Sequence, residues 1–446
     1  MANAQRERWS SRRGFLLAAV GSAVGLGNMW RFSYLTAENG GAAFVVLYVA
    51  FTLLVGLPVM LAELTIGRGA ARSPIQALAH YGGPRWKALG FVFVAAGFLI
   101  LSYYGVIAGW TVRYAGSALW AGYDSDPLAR FEAIREGWAA FCFHVVFMAV
   151  TVLIVRGGVK AGIQRAAELM MPALFVLVCG IALYAATLEG SGPGYAYYFD
   201  TNFAEVVSRD VVSAAAGQAF FSLSLGMGAM MTYASYLTRE HHLPNASIAI
   251  AGADFLVAFV AGLMVFPLIF ALGLSDEVGA STLGALFVTL PKAFASMGAA
   301  GRVVGLCFFV ALAVGALTSA ISLLEVVVAS TMDGFGWTRN RAAIVMGLAI
   351  TLMGAPAAWN IGVLDVMDQV ASNVFLVGGG FVLAVFTGWV MKDPMREVRQ
   401  GAEGVGWFFL WRWLLRLVVP AVLLFVLIDA VPKTLGSVAE LFGWGN

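Results

Sequence analysis

The residues best suited to chemistry in this chain lie inside apolar stretches. In Gly21-Ser-Ala-Val-Gly-Leu-Gly-Asn-Met-Trp-Arg-Phe32, three glycines fall within seven residues and are followed at once by Asn28 and Arg31. A glycine weakens a helix by about 1 kcal/mol relative to alanine. Close packing through small residues accounts for glycines in a membrane. It does not account for an arginine one turn on, because an ionisable side chain at membrane depth is by default functional. A second weakened run, Gln218-Ala-Phe-Phe-Ser-Leu-Ser-Leu-Gly-Met-Gly228, sets two glycines beside Ser222 and Ser224. Asp254 stands in the apolar setting GADFLVAF, Thr318 and Ser319 in another such run, and Asp368 and Asn373 in a third; Glu63 and Glu325 are similarly placed. Hard oxygens of this kind suit alkali or alkaline-earth cations. A single Ser or Thr more often bonds back to its own helix, but a buried carboxylate requires a cation or a proton. Opened helix ends offer free N–H groups and a positive dipole end to an anion, and unwound carbonyls offer oxygens to a cation. The combination fits a zwitterion held beside an alkali ion.

These residues need a scaffold that crosses a membrane. The chain is 446 residues long, 61% hydrophobic and only 12% charged, half the charge of a soluble domain. The net charge of +2 gives no reason to expect nucleic acid. Three cysteines (Cys142, Cys179, Cys307), all in apolar stretches, and four histidines, two of them adjacent in a polar loop (His241, His242), supply no disulfide framework, metal motif or catalytic set. Apolar runs long enough to span a bilayer lie near 14–36, 41–67, 88–120, 139–155, 166–188, 212–237, 246–273, 302–332, 341–355, 361–390 and 409–431. Two interrupted spans, the first and the sixth, point to an all-α inverted five-plus-five repeat with a midplane site, plus an eleventh span. The expected organisation is an N-terminal gate segment (1–13), a first repeat (14–190), an external loop (191–211), a second repeat (212–390), span 11 (409–431) and an external tail (432–446). Nineteen Lys and Arg fall on the side of the N-terminus and six on the other, with Arg31 and Arg113 left within spans. The bias predicts a cytoplasmic N-terminus and, with an odd number of spans, an external C-terminus. Ser11-Arg12-Arg13 is read as an anchor of the first span, since no cleavage site closes the run behind it.

GSAVGLGNMWRF, AENGGAAF (Ala37–Phe44), GLPVMLAELTIGR (Gly56–Arg68), QAFFSLSLGMGAMMTYASY (Gln218–Tyr236) and ALTSAISLLEVVVASTMD (Ala316–Asp333) resemble the neurotransmitter:sodium symporter family, most of all its bacterial amino-acid transporters. The likeness runs from about Arg6 to span 11. It implies the leucine-transporter-like fold and sodium-coupled uptake of an amino acid by alternating access. A first sodium would be held by the Ala23 carbonyl, Asn28, Ser222, Asp254 and the substrate carboxylate. A second would be held by carbonyls of Gly21, Val24 and Gly315 with the hydroxyls of Thr318 and Ser319. The substrate carboxylate would meet amides near Leu26 and Gly27 and the Tyr104 hydroxyl. The amino group would meet carbonyls of Ala23, Phe221 and Ser222 and the Ser224 hydroxyl. Ser22, Ile100, Phe221, Met227, Ser319 and Leu323 would line the side-chain pocket. Arg31 and Asp368 match the external gate, with Phe221 as lid; Arg6 and Asp333, with Trp9 and Tyr236, match the cytoplasmic gate.

Where monoamine members carry an aspartate this chain has Gly25, so the resemblance favours a substrate that brings its own carboxylate. The mostly apolar pocket and the adaptable Met227 imply neutral hydrophobic L-amino acids, tryptophan within reach; a single small aliphatic substrate is the alternative. Asp254 replaces the commoner asparagine, and Ala258 stands where relatives have glutamate or serine. Asp254 is therefore expected to supply the negative charge that chloride supplies in animal relatives. Gly162 and Pro172 either mark a segment that unwinds in relatives or are simply a proline near a helix start. A channel, a membrane enzyme and a non-transporting sensor of the same fold are the remaining readings.

Overall fold

The computed structural model describes residues 6–120, 122–123, 126–200, 208–274, 284–402 and 406–443. Residues 1–5 of the expected gate segment, 201–207 of the expected loop and 444–446 of the expected tail lie outside them. The described chain is helical, with no strand among the described residues.

Nine continuous helices are long and apolar enough to cross a bilayer among the described residues. A tenth span is a bent pair, α1 (Arg12–Ala23) and α2 (Gly27–Glu38), which meet at 60°. Next come α3 (Ala42–Ala70), α4 (Pro84–Trp120), α5 (Gly137–Arg156) and α6 (Val159–Ala186). The expected sixth span is two short pieces, α7 (Arg209–Ser222) and α8 (Ala229–Ala234), neither long enough to cross alone. The remaining spans are α9 (Leu243–Ala271), α10 (Gly298–Phe335), α11 (Arg339–Trp359), α12 (Ile361–Val390) and α13 (Phe408–Leu441). The last helix continues to Leu441, past the expected end of span 11 and through Pro432, so most of the expected tail is helical. The expected external loop carries a short helix, Gly192–Phe199.

Both breaks have local causes. At the end of α1, Val24 turns to an extended backbone (φ −74°, ψ 112°), so the helix cannot propagate. After α7, Ser224 (φ +54°), Gly226 (φ +78°) and Gly228 (φ +74°) take left-handed conformations. At Gly226 a side chain is excluded twice over, by that φ and by the carbonyl of Leu376, which would meet any Cβ. Buried Glu63 on α3 then accepts from the amides of Gly226 (2.9 Å) and Met231 (3.2 Å), satisfying donors that the break leaves free.

α4 and α10 form the most extensive helix pair. Their apolar stretches are 67% buried, whereas that of α13 is 28% buried. α4 and α10 are therefore the interior frame, while α13 presents Leu417, Leu424 and Ile428 outward, as a lipid-facing helix must. α1 lies against α6, α9 and α10, and α8 against α3 and α10, which hangs both broken spans on the frame.

Candidate functional site

The C-terminal ends of α1 and α7 and the N-terminal ends of α2 and α8 meet at mid-depth around a cavity of about 30 Å³. Its walls are Ala23, Gly25, Leu26, Gly27, Asn28, Ile100, Tyr104, Phe221, Ser222, Ser224, Met227, Ser319, Leu323 and Leu376. Every residue expected around the substrate is there except Ser22, which lies just behind. Ser22 donates its hydroxyl to Ser322 (2.7 Å), and its carbonyl accepts from Ser224 Oγ (2.7 Å). Tyr104 Oη accepts from the Leu26 amide at 3.4 Å. A Cβ on Gly25 would stand 2.6 Å from Ser319 Oγ and 3.1 Å from Tyr104 Oη, so a side chain there would fill the cavity.

Asp254 and Asn28 are both fully buried. Asn28 Nδ2 donates to Asp254 Oδ1 (2.6 Å), to the Asp254 carbonyl (3.2 Å) and to Ser222 Oγ (3.0 Å). Asp254 Oδ2 accepts from Ser222 Oγ (2.8 Å) and from the Tyr48 hydroxyl (3.0 Å). Asn28 Oδ1 accepts the Gly25 amide at 2.9 Å. All these donors are neutral, and no ion pair to Asp254 is present among the described residues. A buried carboxylate without a cation or a proton is costly, so this oxygen-rich set is suited to a positive charge.

Ser319 Oγ lies 3.5 Å from the Gly21 carbonyl and 3.3 Å from that of Val24. Thr318 Oγ1 lies 2.9 Å from the Gly315 carbonyl and 3.5 Å from that of Val24. Three carbonyls and two hydroxyls thus converge, an all-oxygen neutral set that fits an alkali ion rather than a transition metal. No cluster of His, Cys, Asp and Glu that could hold a metal occurs among the described residues.

The two Arg–Asp pairs expected as gates flank the centre. On the face of the N-terminus, Arg6 forks onto Asp333 at 2.9 and 3.0 Å and donates to Ser235 Oγ at 2.7 and 3.1 Å. The same guanidinium lies 4.9 Å from the Tyr236 ring centre. Buried Trp9 donates to the Tyr233 carbonyl at 2.9 Å. Beneath them Tyr236 donates to Glu325 (2.5 Å), which also pairs with Arg339 at 2.6 Å. On the opposite face Arg31 and Asp368 line one cavity of about 110 Å³ with Tyr103 and Asp365. No ion pair within 4.0 Å joins Arg31 to Asp368 among the described residues. Arg31 instead lies 4.6 Å over the Phe221 ring, and Asp368 accepts from Tyr103 (2.8 Å) and Ser372 (3.2 Å). This outer cavity shares Leu26, Gly27, Tyr104 and Phe221 with the central one, so Phe221 is the partition between them.

Sequence reasoning missed Tyr48, whose apolar run gives it the look of packing; the pairing with Asp254 exists only in three dimensions. It also missed Gln218, whose Nε2 donates to the Gly27 carbonyl (3.2 Å) while its buried Oε1 has no partner. Gln218 opens the second weakened run, which was signal enough to single it out. Leu376, Asp365 and the Glu325–Arg339 pair were not foreseen as parts of the site.

Broken helices meeting at mid-depth, with opposed gates on either side, define a secondary transporter of the inverted-repeat class. The chain belongs to the sodium:neurotransmitter symporter family, whose profile matches residues 6–122 and 135–441. It is similar to YhdH, an uncharacterized sodium-dependent transporter of Bacillus subtilis (33% identity, covering 97% of this chain and 99% of that one). An uncharacterized sodium-dependent transporter of Methanocaldococcus jannaschii is also 33% identical, over 95% of this chain and 90% of that one. The crystal structure of MhsT in complex with L-phenylalanine matches with a TM-score of 0.87 and 43% identity, covering 95% of this chain and 100% of that one. The chain is thus a sodium-dependent symporter with the leucine-transporter-like fold, and its relatives are transporters rather than enzymes.

Proposed function

We propose that this protein couples the entry of two sodium ions to uptake of a neutral hydrophobic L-amino acid, aromatic ones included. The observation that carries the reading is buried Asp254, bonded only to neutral groups, beside an Asn28 and a Ser222 that also line the central cavity. One sodium binds between the Asp254 carboxylate, the Asn28 and Ser222 side chains and the Ala23 carbonyl, and the amino acid's own carboxylate finishes its shell. The second lies among Gly21, Val24, Gly315, Thr318 and Ser319. The lack of a side chain at Gly25, the deformable Met227 and the MhsT complex with L-phenylalanine support a bulky apolar substrate. Such a substrate needs more than the central cavity, so Phe221 swings aside as it enters and returns as a lid. Asp254 supplies the fixed negative charge, so transport does not require chloride.

The chain lies in a bacterial inner membrane with its N-terminus cytoplasmic and C-terminus outside, as the arginine and lysine bias supports. Substrate and ions then enter past Arg31 and Asp368 and leave when Arg6 and Asp333 part. Each charge crossing 100 mV contributes about 2.3 kcal/mol, so two ions give about 4.6 kcal/mol, roughly three decades of substrate gradient.

Scintillation-proximity binding to the purified protein, with leucine, phenylalanine and tryptophan as tracers and all twenty amino acids as competitors, tests this reading. Binding in sodium that vanishes in potassium supports it. Undiminished binding in potassium-only buffer overturns it, and saturable uptake into proteoliposomes separates a carrier from a sensor or channel. Loss of uptake on replacing chloride by gluconate overturns the chloride-independent part alone.

A further inference from the structure

Two arginines near the start of α13 take no part in the gates or the centre. Arg412 and Arg416 lie one turn apart on that helix, and neither is ion-paired among the described residues. Arg412 Nε is buried without a hydrogen-bond partner. Arg416 Nε donates to the Gly388 carbonyl at 2.7 Å, which leaves its two terminal nitrogens without a partner among the described residues. An ionisable side chain in a membrane span calls for a named partner.

The seat of Arg416 is built by two elements. Phe386–Val390 at the end of α12 and Leu414–Val418 in α13 are both wound as π-helices and pack together; such turns are rare and recur at functional sites. A Cβ on Gly388 would stand 3.0 Å from Arg416 Cγ and 3.1 Å from the Leu415 carbonyl, so the glycine lets the arginine stem pass. The guanidinium then lies 5.1 Å from the Trp389 ring centre and 6.0 Å from that of Trp413. Both rings are exposed, as are Phe409, Leu410 and Leu417 on the same stretch of α13.

The loop before α13 lies on the face of the N-terminus. Arg68 Nη1 donates to the carbonyls of Gln400 (3.1 Å) and His241 (2.5 Å), and Ser235, just before His241, accepts from Arg6. The first turns of α13 therefore stand where the bilayer meets water on that face, the depth that tryptophan rings favour. A guanidinium forks onto a phosphate, and the exposed apolar side chains suit acyl chains. Two unpaired positive charges select a lipid of net negative charge over a zwitterionic one. We infer that Arg412 and Arg416 hold the phosphate of an anionic phospholipid in the leaflet on the N-terminal face, at the junction of α12 and α13. The site is separate from those of the ions and the amino acid, and it does not depend on the transport reading.

Native mass spectrometry of the full-length, delipidated protein, titrated with phosphatidylglycerol or phosphatidylcholine, tests it. Phosphatidylglycerol should bind the more tightly, and Arg412→Gln should weaken it about fivefold, the worth of one basic side chain at an anionic surface. Arg416→Gln should act in the same direction. Arg156→Gln, at an exposed arginine where α5 ends, should change nothing. Arg416 also holds the Gly388 carbonyl, so Arg412→Gln carries the test if Arg416→Gln fails to fold. Arg412 gives up no bond within the protein, so melting of Arg412→Gln in phosphatidylcholine nanodiscs should match the parent, while its gain in stability from added phosphatidylglycerol should shrink. Equal binding of the two lipids, unchanged binding in Arg412→Gln, or an equal loss in Arg156→Gln overturns the inference. Displacement of bound phosphatidylglycerol by an equal concentration of glycerol phosphate also overturns it, since the site would then be one for a soluble phosphate.

Discussion

The two gates are built from like pairs yet stand in different states. At the N-terminal end an arginine forks onto an aspartate at 2.9 Å and is boxed in by Trp9, Ser235 and Tyr236. At the other end Arg31 rests on an aromatic ring while Asp368 turns to Tyr103 and Ser372. The first pair is drawn together by three chain segments and needs nothing else. The second spans a cavity and has no bridge among the described residues. The central cavity adjoins the outer one across Phe221, on the side where the Arg–Asp pair stands apart.

Variants can break or sharpen this contrast. The largest effect falls on the centre that both gates serve. Asp254→Ala should lower sodium-dependent amino-acid binding more than about 100-fold, because it removes the charge of a buried cluster; scintillation-proximity titration reads it, and intact binding would leave both gates without a shared purpose. Asp333→Ala comes next. It should weaken apparent affinity about tenfold and expose a cysteine placed at Ser222 to thiol reagents from the N-terminal face, in a background freed of Cys142, Cys179 and Cys307. Tyr48→Phe should cost about threefold in sodium affinity through one lost hydrogen bond to Asp254, measured as a shift in the sodium dependence of binding. Asp368→Asn should have the smallest effect, about two- to threefold on affinity, seen mainly as faster ligand release, since no ion pair exists there to be lost before the ligand arrives. A tenfold effect from Asp368→Asn with none from Asp333→Ala would invert the comparison.

Much of this was legible beforehand because glycines and charges inside apolar runs are rare enough to notice. Gly21, Gly25 and Gly27 marked the first break, and the Gln218–Gly228 run marked the second, at the places where the helices end. Helix lengths were less legible: α13 runs on to Leu441 because Pro432 is accommodated within a helix whose outer face meets lipid, where no sequence signal stops it. Tyr48 escaped notice for the opposite reason. A tyrosine among Val, Leu and Phe declares nothing until α3 is laid against α9 and its hydroxyl meets Asp254. The resemblance pairs Arg31 with Asp368, and only coordinates show whether such a pair is closed.

Ser224 holds a backbone shape that glycine would adopt more easily, and its hydroxyl reaches across to the carbonyl of Ser22 in the other broken helix. A glycine at 224 would relax the turn but cut this tie. The two broken helices are therefore fastened to each other at their interruptions, and the fastening point is also a wall of the central cavity. Whatever swings during turnover should carry both interruptions as a single rocker, with the amino acid riding at its pivot.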